Sequence, residues 1–178
     1  MVGRGRGMDS ERLSARTRQP GHDRTFERSE RSFIDVAGRV LDPSAYRVVD
    51  HPRDLANCFP SELADERSLG VVPEASIESV ATGRKFFVEV KKQGPNGNAE
   101  ERAFKHHTVQ FYRTLHSIYG YDYHPFVTVC CESLAVLPRY TSKFRYLFEP
   151  DHYFLWVDYD ENSLRDYLVG RCSAWLDD

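Results

Sequence analysis

The chain has 178 residues, 40% of them hydrophobic, and carries 11 Phe, 10 Tyr and 2 Trp, enough to close one sizeable core. A formal net charge of −3 argues against a uniformly basic nucleic-acid coat, and no run nears the roughly 18 apolar residues that a membrane span needs. Cys58, Cys130, Cys131 and Cys172 form no CxxC pair and no zinc spacing, and the start lacks an apolar leader, so the expectation is a cytoplasmic protein with reduced thiols.

Residues 1–32 are polar, contain eight Arg and almost no apolar residues, and read as a flexible Arg-rich arm. Such an arm is either a plain tail, with Met8 as an alternative start, or a segment that touches a nucleic-acid backbone or minor groove. Residues 33–178 read as a single domain. Its first part, 33–70, mixes short apolar clusters with Pro43, Pro52 and Pro60, which suggests short helices and turns. There is no internal repeat.

From Gly70 the pattern changes. Val71-Val72 and Ser76-Ile77-Glu78-Ser79-Val80 read as strand, and Ala81-Thr82-Gly83 as a turn into a second strand over 85–91. Gln93 to Gly97 reads as loop. A helix is expected from Asn98, with Phe104, Thr108, Phe111, Leu115 and Ile118 as one apolar stripe and Gly120 as its end. The run Pro125-Phe126-Val127-Thr128-Val129-Cys130-Cys131 has the character of a buried strand, another strand is expected over 153–157, and a last helix over 163–176. Strands before and after a packed helix imply an α/β domain with a mixed central sheet flanked by helices.

Within the 85–91 strand, residues two apart share a face. Glu89 and Lys91 therefore project together beside Phe87, while Phe86, Val88 and Val90 face the other way. Burying either charge alone would cost several kcal/mol, so a core strand that carries both needs a partner for them. A divalent cation on Glu74 and Glu89, with a phosphate near Lys91, meets that need, and it is the arrangement that phosphodiester hydrolysis requires. Glu-x-Lys by itself is also what many solvated strand faces carry. Here the apolar flanks and Glu74, fifteen residues upstream across the turn, weigh toward the site. Charge is locally positive as well, with seven Lys or Arg against three acids between Arg84 and Arg113.

Asn98 and Glu101 have the spacing of a capping box, which needs no function. The same segment also carries Asn, Glu and Arg side chains able to read base edges. His106 and His107, adjacent on a helix, read as surface or groove residues rather than metal ligands, and Cys130 and Cys131 as small core residues.

Taken in order, Gly70-Val71-Val72-Pro73-Glu74, Phe87-Val88-Glu89-Val90-Lys91-Lys92-Gln93 and Gly97-Asn98-Ala99-Glu100-Glu101-Arg102-Ala103-Phe104-Lys105 resemble the PD-(D/E)xK nucleases, and specifically the type II restriction endonucleases of the EcoRI/MunI kind. Phe111-Tyr112-Arg113-Thr114, Pro125-Phe126-Val127 and Asp151-His152-Tyr153-Phe154-Leu155-Trp156 extend the likeness, which spans roughly half the chain from about residue 69 to 156. The Gly-Asn-Ala-x-Glu-Arg block is far more specific than Glu-x-Lys. The resemblance implies a restriction-endonuclease-like core with Glu74, Glu89 and Lys91 as catalytic residues. It implies Mg²⁺, with Mn²⁺ as a substitute, held by Glu74, Glu89 and the Val90 carbonyl. DNA contacts would come from Asn96, Gly97, Asn98, Ala99, Glu101, Arg102 and Lys105. Members act as homodimers on palindromes, here with an expected AATT core, leave 5′ overhangs, and work beside a cognate DNA methyltransferase.

Three departures stand out. Glu74 replaces the Asp of the Pro-Asp pair, the loop from Gly94 to Asn96 is short, and Asn96 stands where an arginine reads an outer base pair. The alternatives are a sequence-specific DNA-binding protein that has lost cleavage through Glu74, and a repair or defence nuclease of relaxed specificity.

Overall fold

The computed structural model describes residues 20–59, 70–94 and 96–177, with the backbone course alone for 20–29. A five-stranded sheet in the order β1-β2-β3-β4-β5 forms its centre: Tyr46–Asp50, Ala75–Ser79, Lys85–Gln93, Phe126–Glu132 and Tyr153–Trp156. β1–β2 and β2–β3 are antiparallel, whereas β3–β4 and β4–β5 are parallel, so the sheet is mixed as expected. Helices α1 (Pro20–Val40), α2 (Ala99–Phe104), α3 (Val109–Tyr119), α4 (Ser133–Val136), α5 (Pro138–Leu147) and α6 (Glu161–Trp175) flank it. None of the described helices is long and apolar enough to cross a membrane.

The alternation in β3 sorts the layers. Phe86, Val88 and Val90 share a core with Phe33, Val36 and Ala37 of α1 and with Leu164, Leu168 and Cys172 of α6. Phe87 faces the other layer, against Phe111 and Leu115 of α3 and Phe126 of β4. A third cluster joins Ala99 and Ala103 of α2, Cys130 of β4, and Tyr140 and Phe144 of α5. Burying each such side chain stabilises by roughly 1.5–3 kcal/mol, which commits β3 to both layers.

Several expectations need correction. Residues 20–32 are helical, so an arm without structure does not extend to 32, and residues 1–19 lie outside the described residues. Phe33, Val36 and Ala37 are buried at the C-terminal half of α1, and a helix anchored there carries its turns backward. The 33–70 region contains the edge strand β1, and Val71-Val72 lie outside β2. The expected helix from Asn98 to Gly120 is two helices. Thr108 is extended (φ −78°, ψ 149°), and its side chain accepts from the Phe111 amide, capping α3. The stripe therefore splits: Phe104 joins the α2/α5 cluster, Phe111 and Leu115 pack under β3, and Ile118 is exposed. Gly120 does close α3, in the left-handed region at φ 68°.

Between the two helices a 3-10 turn, Lys105–His107, rotates His106 and His107 inward. They are not surface residues. His106 stacks on Phe126 at 4.5 Å, and His107 lies against Phe148 at 4.3 Å and bonds Thr128 at 2.9 Å.

Candidate active site

β2 enters the sheet directly after Pro73-Glu74. The β2–β3 pairing ends at Ala75↔Val88 and the chain bends at Glu74, so Pro73 and Glu74 lie just beyond the last paired residues. Val90 lies past the residues that β2 pairs, and Pro73 has no N–H with which to continue the ladder toward it. The Val90 amide donates instead to Glu74 Oε2 at 3.1 Å. Within an extended strand the N–H and C=O of one residue point to the same edge, so the Val90 carbonyl also faces the Glu74 side.

Glu74 and Glu89 are 8% and 6% exposed, low values for two carboxylates on neighbouring strands. Lys91 bridges them, with Nζ 3.4 Å from Glu74 Oε1 and in contact with Glu89 Oε1. The two acids are driven apart in character. Burial, then the hydrogen bond to Glu89 and its charge, push the Glu74 carboxyl up to about 9. Burial works against ionised Glu89 too, but the bond from Glu74 and the Lys91 charge outweigh it and hold Glu89 below the usual carboxylate range. Burial pulls Lys91 down, and the two carboxylates more than restore it. Without a cation the trio thus settles as a protonated Glu74, an ionised Glu89 and an ammonium.

That donor set suits a divalent cation. Two buried carboxylates and a carbonyl on the same edge supply hard oxygens in place of the shared proton and Lys91. Among the described residues no three His, Cys, Asp or Glu side chains converge as a metal cage, so other oxygens, from water or a phosphate, would complete the shell. Magnesium is commonly bound that way, through one or two carboxylates with retained waters.

Beyond β3, the segment expected to meet DNA lies at the C-terminal end of the parallel strands. Asn96, Gly97, Asn98, Glu101, Arg102 and Lys105 are exposed, whereas Ala99 is buried at 2% and presents no side chain to a ligand. The capping box does not form: Asn98 makes no side-chain cap, and the one side-chain acceptor at this helix start is Gln93 Oε1, on the Ala99 amide. The side chains of Asn98, Glu101 and Arg102 hydrogen-bond to none of the described residues and are exposed to solvent. Gln93, expected in a loop, is the buried last residue of β3. Its position one step past Lys92 on the Glu89–Lys91 face was a signal that the sequence carried, hidden by the Gly94-Pro95 break beside it.

A second cleft, of about 570 Å³, lies at the opposite end of the sheet, where His124 and His152 precede β4 and β5. Its histidines are core groups: burial lowers His107 to about 2 and His124 to about 4.

A mixed sheet with a parallel β3-β4-β5 half, helices on both faces and acids meeting at the β2–β3 edge defines a restriction-endonuclease-like α/β fold. Among solved structures the chain is similar to MunI restriction endonuclease in complex with cognate DNA, at 20% identity and a TM-score of 0.64, over 83% of this chain and 96% of that one. No protein-family profile matches the chain, and no curated protein sequence matches it.

Proposed function

We propose that the chain is a site-specific endonuclease that hydrolyses phosphodiester bonds in double-stranded DNA with Mg²⁺. The reading rests on one observation: the buried Glu74 and Glu89 meet the half-buried Lys91 in a single cluster where β2 begins beside β3. The exposed Asn98, Glu101 and Arg102 lie on the segment that follows the same strand. Likeness in fold to a DNA-bound restriction endonuclease lends further support.

In this reading Glu74, Glu89 and the Val90 carbonyl hold the cation. When bound, it lowers the pKa of a water and offsets charge on the scissile phosphate. Lys91, freed from the two carboxylates, orients the attacking water and stabilises the charge that grows on the phosphate oxygens. Asn98, Glu101 and Arg102 read base edges in the major groove, with Lys105 and the backbone at Gly97 and Ala99 setting the register on the duplex. Two copies of the chain would act on a two-fold site with an AATT core and leave 5′ overhangs, in a cell that protects its own sites with a methyltransferase. Asn96 is exposed on the same segment, and in this reading it borders the bases outside the core without fixing which they are.

Plasmid digestion with Mg²⁺, followed by sequencing of the fragment ends, tests this beside a Lys91→Ala control. Ends with no shared sequence would remove the specificity claim, and no cleavage in Mg²⁺ or Mn²⁺ would remove the nuclease.

One observation favours a second reading, a DNA-binding protein that no longer cuts. Both Glu74 oxygens are engaged by the protein's own donors, Oε2 by the Val90 amide and Oε1 by Lys91. That reading expects binding without Mg²⁺ and a gain of cleavage in Glu74→Asp.

A further inference from the structure

We infer that the cleft at the base of β4 and β5 is a site for one borderline transition cation, of the Zn²⁺ class, with His124 Nδ1 and His152 Nε2 as its protein ligands. The site lies at the other end of the sheet from Glu74 and Glu89 and owes nothing to whether the chain cuts DNA.

The hydrogen bonds fix both tautomers. A carbonyl oxygen only accepts, so a ring nitrogen bonded to one must carry the proton. His124 Nε2 donates to the His106 carbonyl at 2.6 Å, and His152 Nδ1 donates to the Phe126 carbonyl at 3.1 Å. In a neutral imidazole the other nitrogen then holds a lone pair, Nδ1 in His124 and Nε2 in His152. A ring proton held by a backbone carbonyl is the usual outer support of a metal-ligating histidine. The wall of this cleft carries two such rings.

Packing limits their rotation. His152 stacks on Trp175 at 5.1 Å, and the His124 ring lies 20° from parallel to that of Phe126. The two imidazole centres are 5.4 Å apart. Two imidazoles on one tetrahedral zinc, at a Zn–N distance of about 2.0–2.1 Å, have ring centres roughly 5 Å apart. His124 is 8% exposed, and its Nδ1 is buried without a hydrogen-bond partner, a costly state that a bound cation relieves.

The surroundings favour positive charge. Asp122, Glu149 and Asp151 line the cleft, and among the described residues no Lys or Arg does. Burial holds both rings below the ordinary histidine value, so at pH 7 no proton competes for the lone pairs. Imidazole nitrogen suits zinc, nickel and copper, whereas Mg²⁺ takes oxygen. His107 lies 5.5 Å from His124, but Thr128 Oγ1 occupies its Nε2 at 2.9 Å. Among the described residues no three His, Cys, Asp or Glu side chains converge, so two imidazoles are the protein's share and water completes the shell. Through the His106 carbonyl, the ion would brace the turn that separates α2 from α3 against the starts of β4 and β5.

The test uses the full chain labelled with ¹⁵N at histidine, stripped with chelator and titrated with Zn²⁺. Expected are shifts at His124 Nδ1 and His152 Nε2, opposite nitrogens in the two rings, and a rise in melting temperature. Mg²⁺ is expected to move neither nitrogen. His152→Phe keeps a ring against Trp175 but removes the ligand, and it is expected to weaken Zn²⁺ binding by about tenfold or more, as is His124→Phe. Glu89→Gln is expected to leave the two shifts unchanged. If His124→Phe does not fold, His152→Phe and the wild-type spectra decide. Equal Zn²⁺ affinity in wild type and folded His152→Phe overturns the site. Shifts confined to the exposed His51 and His116 mark an adventitious ion only, and they overturn it too.

Discussion

Glu74 Oε2 accepts a hydrogen bond from the Val90 amide at 3.1 Å, and Pro73, just beyond the β2–β3 pairing, has no N–H with which to continue the ladder toward the Val90 carbonyl. The Pro-Glu pair thus does two things at the end of one ladder. It brings a carboxylate across to β3, and it leaves a backbone oxygen on the same edge without its usual donor.

If those oxygens hold a cation, metal must stabilise the folded chain. Adding Mg²⁺, Mn²⁺ or Ca²⁺ at about 100 times its dissociation constant is expected to add about 2.7 kcal/mol, seen as a rise in melting temperature. Glu74→Gln and Glu89→Gln are expected to melt independently of added cation. Equal metal-induced shifts in wild type and both variants would place the cation elsewhere.

Lys91 is the only cation seen against both carboxylates among the described residues. Lys91→Met leaves two buried acids without it and is expected to cost about 3–5 kcal/mol in the presence of chelator. A divalent cation should recover much of that stability but not the cleavage, which falls by about a hundredfold or more. Thermal melts with and without chelator separate the two effects. A Lys91→Met protein that melts like wild type in chelator would show that Lys91 does not hold the acids together.

Asn98 forms no cap on α2. Asn98→Ala should therefore leave stability within about 0.5 kcal/mol, against the 0.5–2 kcal/mol that losing a working N-cap costs, while cleavage at the preferred sequence drops. A large loss of melting temperature would instead assign Asn98 to the fold.

Four histidines tie stability to pH. Burial first of all holds His106 and His124 at about 4, His107 at about 2, and His152 below its ordinary value. The folded chain keeps them neutral where the unfolded chain, near 6.5, binds protons. Their contribution is fully present above about pH 6.5 and is lost as pH falls below it, by about 1.4 kcal/mol per pH unit toward pH 4 for each of His106, His107 and His124. Glu74 opposes this, since its raised carboxyl keeps a proton that the unfolded chain releases above about 4.5. For His106, His107, His124 and Glu74 the net is roughly two protons taken up on unfolding near pH 5.5, and His152 adds in the same direction. Melting curves between pH 7.5 and 5 should fall steeply, and less steeply for His107→Phe. A flat profile would mean that the imidazoles titrate freely in the folded state.

The strand carrying Glu89 and Lys91 was legible in the sequence because period two is local. Phe86, Val88 and Val90 against Phe87, Glu89 and Lys91 needs no other element to be read. The buried β4, the strand at 153–156 and the final helix followed from equally local patterns. α4 and α5 left no such trace, and β1 was hidden among the prolines around it. The break at Thr108 was also missed, because Phe104, Phe111 and Leu115 keep helical spacing although they serve two different clusters.

The sequence by itself determined which groups could do chemistry, since an acid, a Glu-x-Lys strand and an Asn-x-x-Glu-Arg run are properties of residue type and spacing. Only the tertiary structure decided how they meet. Glu74 and Glu89 close on Lys91 because β2 and β3 pair in one register, and the first amide of α2 finds its acceptor in Gln93, six residues back on another element. Both facts depend on side chains satisfying one another across strands and helices once water is gone, and such partners are chosen by packing in three dimensions rather than by neighbours along the chain.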